Sequence, residues 1–321
     1  MNAKEIRSVI ADHLKQSLRF LRRKGFVIGL SGGIDSTVTA HLAADAIGSH
    51  SILGVIMPER ESSTESRELA LDLVQKLGIR CEEIDITQHL TAVDAYNKRD
   101  NLVRSYFGSY QPQKHRVGIE LHQDLIGSKL PPLHYLILRD EDDVVVFETR
   151  LKYRDYTTLV AATNFKQRMR ALHLYYLADR ENYAVLGTTN RDELLLGFFV
   201  KLGDGAADVE ALDVLYKSEV YDLARELGVD QRVVDRVPTT DTLPGQPSQE
   251  SYFYGLNFST IDCALKVLEG DSQTTEAAVC AGLDETEIER LVHNLKRRHS
   301  TTAILRTPPM SIDRKILKGM I

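Results

Sequence analysis

Only three cysteines occur in the 321 residues, Cys81, Cys263 and Cys280, and they form neither a CxxC nor a metal-ligand spacing. That excludes thiolate metal sites and CxxC redox chemistry. Two of the three lie in apolar stretches, so the expectation is a cytoplasmic protein with reduced thiols. No apolar run is long enough to cross a bilayer. The N-terminus, MNAKEIRSVIADHLKQSLRFLRRKG, has an amphipathic helical pattern and not that of a signal peptide. A membrane is therefore not an expected partner. Positive charge is not in surplus either. The formal net charge of -6 gives no general electrostatic reason to bind nucleic acid. Internal repeats and long low-complexity segments are absent. The 43% hydrophobic and 27% charged residues are globular values, and the length suits one large or two modest domains.

The stretch FVIGLSGGIDST, Phe26 to Thr37, is the most informative part of the chain. Phe26, Val27, Ile28 and Leu30 read as a buried strand. The run breaks into Gly32 and Gly33, and a helix is expected from Thr37 to Ala46. Two glycines in a strand-to-helix turn allow positive φ and close approach of a ligand. The helix start offers free N–H groups and the positive end of its dipole, so phosphate is the expected guest. Ser31 and Ser36 add hydroxyls, and Asp35 adds a carboxylate suited to Mg²⁺. The loop is not a Walker A sequence, because it has no GxxxxGK[ST] and no lysine in the turn. An ordinary βα turn rich in small residues is the plain alternative.

Further along, strands and helices alternate. Ile52 to Met57 reads as a second strand, Thr64 as a helix cap, Gly78 as a helix end and Arg80 to Ile86 as a third strand. A helix from about Tyr156 to Arg180 leads into a fourth strand, Tyr183 to Leu186. This order predicts an α/β fold with a doubly wound parallel sheet and ligands beyond its carboxyl ends. The segment 100–155 reads as a small β insertion, with the turn-like Asp140 to Asp143 before the alternating VVVFETRLKYR. The part from about 256 to 321 reads as helical, with three stretches between Phe258 and His299.

A second informative stretch is NYAVLGTTNRDELLLGFFVKLGDGAADVEALDVLYKSEV, Asn182 to Val220. Thr188 follows the fourth strand, and Glu193 lies just beyond it, near where a second metal ligand is needed. Lys201, Asp204, Asp208 and Lys217 follow among glycines, a pattern that serves a ligand or a solvated acidic loop.

SGGxDS resembles the pyrophosphate loop of the N-type ATP pyrophosphatases. With ATNFKQRMRALHLYYLA, GFFVKLGDGAAD, LYKSEVYDLARELGV and Pro238-Thr239, the chain resembles the ammonia-dependent NAD synthetases. The resemblance implies an adenine nucleotide alpha hydrolase-like fold in a single catalytic domain. It implies that nicotinic acid adenine dinucleotide, ATP and ammonia are substrates. The acid's carboxylate would attack the α-phosphate of ATP, and ammonia would displace AMP from the acyl-adenylate. By position, Gly29, Leu30, Ser31, Gly32, Gly33, Ile34, Asp35 and Ser36 would hold the pyrophosphate, with Thr188, Lys217 and Thr239 on ATP. Asp35 and Glu193 would hold Mg²⁺. Arg168, Lys201 and Asp208 would contact the dinucleotide, and Asp204 would take the ammonium proton.

A glutamine-using relative carries an additional amidohydrolase domain, and too few residues precede Phe26 for one. Free ammonia is therefore the expected donor. The related enzymes are homodimers with a shared dinucleotide site. Leu172, Leu174, Tyr175 and Leu177 give one helix apolar surface suited to such an interface, near Arg168. Two departures stand out. TDTLPGQPSQESYFYGL replaces the familiar segment after the Pro-Thr pair, and LKRRHSTTAIL stands where many relatives have a His-Lys pair, leaving Arg297, Arg298 or His299 as substitutes. A ligase amidating another carboxylate is thus an alternative. A non-catalytic nucleotide-binding regulator is a third reading, opposed by the retention of Asp35, Glu193 and Lys217.

Overall fold

An all-apolar strand is stable only where helices cover both faces of its sheet. Phe26, Val27 and Ile28 are fully buried in β1 (Phe26–Gly29), the central strand of a five-stranded parallel sheet. The computed structural model describes residues 2–122, 125–127, 133–240 and 242–312. Helix α1 (Ala3–Leu21) precedes β1, and α2 (Ile34–Ile47), β2 (Ile52–Ile56), α3 (Thr64–Leu77) and β3 (Arg80–Glu83) follow it. Next come α4 (Thr87–Ala92), α5 (Ala95–Tyr106), β4 (Arg116–His122), β5 (Leu133–Arg139) and β6 (Val145–Arg150). The chain continues through α6 (Tyr153–Glu181), β7 (Ala184–Asn190), α7 (Arg191–Leu196), β8 (Val209–Leu212), α8 (Lys217–Glu226) and α9 (Gln231–Val234). A π-helical turn at Glu250–Tyr254 leads to α10 (Phe258–Glu269), α11 (Thr274–Ala281), α12 (Glu285–Thr301) and α13 (Ala303–Arg306).

The strand order is β3-β2-β1-β7-β8, all parallel. Leu14, Val38, Leu42 and Leu223 belong to the core on one face of the sheet, and Leu90, Tyr96 and Leu177 to the core on the other. The doubly wound expectation is therefore met. Strands β4, β5 and β6 form a separate antiparallel sheet inside the expected insertion. The Asp140 carboxylate accepts from the amides of Asp142 and Val144 and so closes the β5–β6 turn. The start of the 100–155 segment is not β, because α5 runs on to Tyr106.

Several boundaries differ from the sequence reading. Helix α2 begins at Ile34, so Ile34, Asp35 and Ser36 are its first turn and not part of a loop. Ser63, not Thr64, caps α3 by accepting from the Ser66 amide. Strand β3 ends at Glu83, short of Ile86. Strand β7 extends to Asn190 because β8 pairs with it as far as Leu212. Residues 313–321 of the helical C-terminal part lie outside the described residues.

The expectation of three reduced cysteines is corrected. Helices α10 and α11 pack as a hairpin that brings Cys263 and Cys280 to a Cα–Cα distance of 6.2 Å, and they form a disulfide. Spacing rules find CxxC pairs and cannot see a contact made by helix packing, so the inference from cysteine to compartment loses its basis. On α6, Leu177 is buried, and Leu174 and Tyr175 pack partly against the core, while Leu172 and Tyr176 are exposed. The outward apolar face is therefore Leu172 and Tyr176.

A buried ionic network fixes the turn after β2. Lys166 on α6 donates to Glu59 and Glu61 at 2.9 Å each, and Arg99 on α5 donates to Glu61 at 2.6 and 2.8 Å. The Tyr96 hydroxyl donates to Glu59 at 2.7 Å. Removing one partner of such a network leaves an uncompensated charge in the interior. Lys166→Met is expected to cost about 3 kcal/mol or more in urea unfolding; a loss under about 1 kcal/mol would show that the network carries little of the stability.

Candidate active site

The chain runs from β1 outward to β2 and β3, then returns to the other side of β1 as β7 and β8. At this reversal the loops after β1 and β7 diverge and leave a crevice at the strands' carboxyl ends. A cavity of about 540 Å³ opens there. Gly29, Leu30 and Ser31 line it, as do Asp35 and Ser36 from the first turn of α2. Gly32 adopts φ +75°, and a Cβ there would lie 2.2 Å from the Ser66 carbonyl oxygen, so the turn requires glycine. Gly33 is the N-cap of α2 and supplies no side-chain cap, which leaves the helix start available to an anion. Ser31 and Ser36 bring their hydroxyls together at 3.1 Å.

Asp35 is held from two sides. Its Oδ2 accepts from Lys217 Nζ at 2.5 Å, and its Oδ1 accepts from Asn190 Nδ2 at 3.1 Å. Lys217 is the first residue of α8 and is fully buried. Burial opposes its charge, but the Asp35 and Glu193 carboxylates outweigh that and raise its pKa. Asn190 also caps α7: its Oδ1 accepts from the Glu193 amide at 3.0 Å, and Glu193 Oε2 accepts from the Asn190 amide at 3.2 Å. One asparagine thus ties Asp35 to Glu193. Burial first, and then the Asp35 charge, push the Glu193 carboxyl up to about 8.

Two neighbouring carboxylates of this kind suit a hard cation. Among the described residues no group of three or more His, Cys, Asp or Glu forms a complete cage.

Thr188 and Thr239 line the cavity, as do Arg168, Lys201 and Asp204. Arg168 Nε donates to the Lys201 carbonyl at 3.4 Å. Lys201 Nζ is engaged by the carbonyls of Ile304 and Thr307, at 2.8 and 2.6 Å. Asp204 accepts from the Val200 amide at 2.6 Å and from Gln167 Nε2 at 3.0 Å. The enclosing walls push its carboxyl up to about 6, although it keeps contact with solvent through the cavity.

Four residues read from the sequence as ATP contacts do not line the cavity: Gly32, Gly33, Ile34 and Lys217. The glycines shape the turn, Ile34 packs into the core, and Lys217 stands behind Asp35. Asp208 does not line it either, because its Oδ2 is turned to the Val185 amide at 2.8 Å. Of the three candidate basic residues near the C-terminus, none lines the cavity. Arg297 is exposed, Arg298 donates to the Phe253 carbonyl, and His299 Nδ1 lies 2.7 Å from the Leu195 carbonyl.

Sequence reasoning missed Asn190 as the link and Glu210 as a buried acid. Glu210 Oε2 accepts from the Thr189 amide at 3.2 Å and occupies the space a Cβ on Gly187 would need. Burial pushes its carboxyl up to about 8, with Asp213 adding to the rise and the Thr189 bond opposing it. The alternation Val209-Glu210-Ala211 was the available signal, an acid set between buried strand positions.

The raised Glu210 pKa gives a signed prediction. Its folded value exceeds the unfolded one of 4.5, so the native state binds the additional proton, and stability falls as pH rises from about 4.5 to about 8. Glu210→Gln is expected to flatten that part of the melting-temperature profile. An unchanged slope between pH 5 and 8.5 contradicts the assignment. A second prediction concerns Asp35→Asn. Glu193, relieved of its like-charged neighbour, then ionises and balances Lys217, so the fold persists. The rise in melting temperature given by Mg²⁺ with ATP should be largely abolished; an undiminished rise would mean that Asp35 holds neither metal nor phosphate.

The model of the NAD synthase family matches residues 6–108 and 134–302. The NH3-dependent NAD+ synthetase of Mesorhizobium japonicum is 38% identical over 307 residues, covering 95% of this chain and 95% of the relative. Among solved structures, NMN synthetase from Francisella tularensis aligns with TM-score 0.66 and 25% identity, over 98% of this chain and 99% of that one. The NH3-dependent NAD synthetase of Campylobacter jejuni, solved with a nitrate ion, aligns with TM-score 0.63 over 98% and 100%. At 24% identity this last match speaks to the fold alone.

Proposed function

We infer that this chain, which belongs to the NAD synthase family, amidates nicotinic acid adenine dinucleotide with ammonia at the expense of ATP. The observation that carries the reading is the Asp35–Glu193 pair, tied by Asn190 beside a glycine turn and lining a cavity of about 540 Å³. A carboxylate acylates poorly, and adenylation gives it a good leaving group. The acid's oxygen bonds to the α-phosphorus of ATP and pyrophosphate leaves. Ammonia then bonds to the acyl carbon, AMP leaves with the bonding pair, and a proton is released. Mg²⁺, when bound, neutralises charge on the phosphates.

The chain's own residues orient and balance charge. The turn at Ser31–Gly33 and the start of α2 receive the phosphates. Asp35 and Glu193 would hold the metal, and Thr188 and Thr239 contact ATP. Lys217 acts from behind Asp35, by fixing it. Asp204, with its carboxyl raised to about 6, accepts the proton. Arg168 and Lys201 face the dinucleotide. The reaction is proposed to run in the cytoplasm, where ATP is available.

The test is product analysis with ATP, Mg²⁺, ammonium and the acid dinucleotide. Equal yields of amide, AMP and pyrophosphate are expected, with glutamine ineffective once ammonia is removed. Turnover sustained by glutamine alone contradicts the ammonia assignment. The resemblance to NMN synthetase gives a specific second reading, in which the acid mononucleotide is the substrate. A higher kcat/KM for the mononucleotide would establish that reading over the first.

A C2 homodimer is part of the proposal. Leu172 is 63% and Tyr176 62% exposed on α6, the helix that also carries Arg168. Sedimentation should give a dimer at micromolar concentration, and Arg168→Ala should raise the KM of the acid. A fully active monomer contradicts both statements.

A further inference from the structure

The match to the family model stops at residue 108 and resumes at 134. The skipped stretch contains β4 and Leu125, and no residue of either lines the cavity. Their contacts lead instead to the segment 242–256, within the stretch 240–256 where the sequence departs from the family pattern. The Gly245 amide donates to the Val117 carbonyl at 2.8 Å. A Cβ on Gly245 would lie 3.0 Å from that same oxygen, so β4 and the segment meet backbone to backbone. Leu243, 2% exposed, shares a core with Val117, Ile119 and Leu136. Gly255, at φ +76°, closes the π-helical turn against Leu121 and Leu125. The segment is also tied to the residues before it, by the Thr239–Ser248 bridge and by the Gln249 amide donating to the Pro238 carbonyl at 2.8 Å.

Held in this way, Tyr252 and Phe253 become cavity walls. Phe198 stacks on Phe253 with ring centroids 4.5 Å apart and an interplanar angle of 29°. Arg298 donates to the Phe253 carbonyl at 2.7 Å, with its guanidinium carbon 4.6 Å from the ring centroid. Among the described residues no carboxylate pairs with Arg298, and burial lowers its pKa to about 10. A cation short of counter-charge therefore stands behind an aromatic wall. The glycine turn, Met57 and Pro58 reach the cavity from the ends of β1 and β2, whereas Phe198 follows α7 and, with Phe253, packs against the cluster of Leu195 and Leu196. A triphosphate seated on the glycine turn leaves this wall to the second substrate.

We propose that β4 and the segment 242–256 form one unit that presents an aromatic wall to the planar ring of the acid substrate. This rests on the reading of the cavity as an amidating site for a pyridine carboxylate nucleotide. Rings stack on such a wall through their faces. The unpaired guanidinium favours a ring that carries a carboxylate over the neutral amide that replaces it, which aids product release. The insertion is thus a specificity element that works without touching the substrate.

The test uses the full chain and two variants, Phe253→Leu in the wall and Gly245→Ala outside the cavity. Steady-state kinetics give KM for each substrate, and calorimetry gives the affinity for the acid dinucleotide without ATP. Phe253→Leu should raise the KM and the dissociation constant of the acid about 5- to 10-fold, because it removes the ring on which Phe198 is stacked in the wall. Gly245→Ala should change both in the same direction, with the KM of ATP held within about twofold in each variant. Equal rises for both substrates, a rise for ATP alone, or no change in either variant would overturn the proposal. If Gly245→Ala fails to fold, Leu243→Val, which loosens the same contact, takes its place. Wild-type enzyme that amidates neither the dinucleotide nor the mononucleotide would refute the functional reading itself. Turnover by wild type with unselective variants refutes this inference alone.

Discussion

The site depends on one buried ion pair. Lys217 is fully buried, and an ammonium group in that position persists only with a compensating negative charge nearby. Asp35 supplies it at 2.5 Å. This pair joins two segments 182 residues apart, the first turn of α2 and the first residue of α8. It also fixes the direction of the Asp35 carboxylate, whose second oxygen is taken by Asn190. The same asparagine caps α7 and orients Glu193. A charge balance in the core thereby sets the spacing of two acids at the cavity.

That balance explains the architecture around it. The turn can pass Ser66 only because Gly32 lacks a side chain, and the α2 start lies where the sheet order reverses. Beyond this core the cavity is completed by parts outside the parallel sheet: α6, the loop after α7, and the segment following Pro238. Lys201 binds the carbonyls of Ile304 and Thr307, so the last described helix is tied to the same wall. Asp35 and Glu193 sit in the first turns of the helices that follow β1 and β7, while much of the cavity wall comes from outside the sheet.

Much of this was legible in the residues. The apolar runs at Phe26, Ile52 and Ala184 can only be buried parallel strands, and two glycines between strand and helix announce an anion site. Asp35 and Glu193 were readable as a pair because each follows a strand end on the same edge of the sheet. What was not legible is what tertiary packing decides. The partnership of Lys217 with Asp35 has no local signature, and so Lys217 read as a direct ATP contact. Asp208 read as a ligand contact, whereas the Val185 amide claims it. The Cys263–Cys280 bond follows from a helix hairpin that no spacing rule describes. The β insertion was visible as alternation in VVVFETR, but its contact with the segment around Gly245 spans more than a hundred residues and leaves no periodic trace.

The central claim is that Asp35 and Lys217 act as one unit in activating the acid. Acid-dependent exchange of labelled pyrophosphate into ATP, measured without ammonia, reports that step alone. Wild type, Asp35→Asn, Lys217→Met and the double variant form a complete cycle. The account predicts that each single change suppresses exchange strongly and that the double variant is no slower than the worse single one, a coupling of about 1 kcal/mol or more. Losses that simply multiply, or a Lys217→Met enzyme with wild-type exchange, would contradict it.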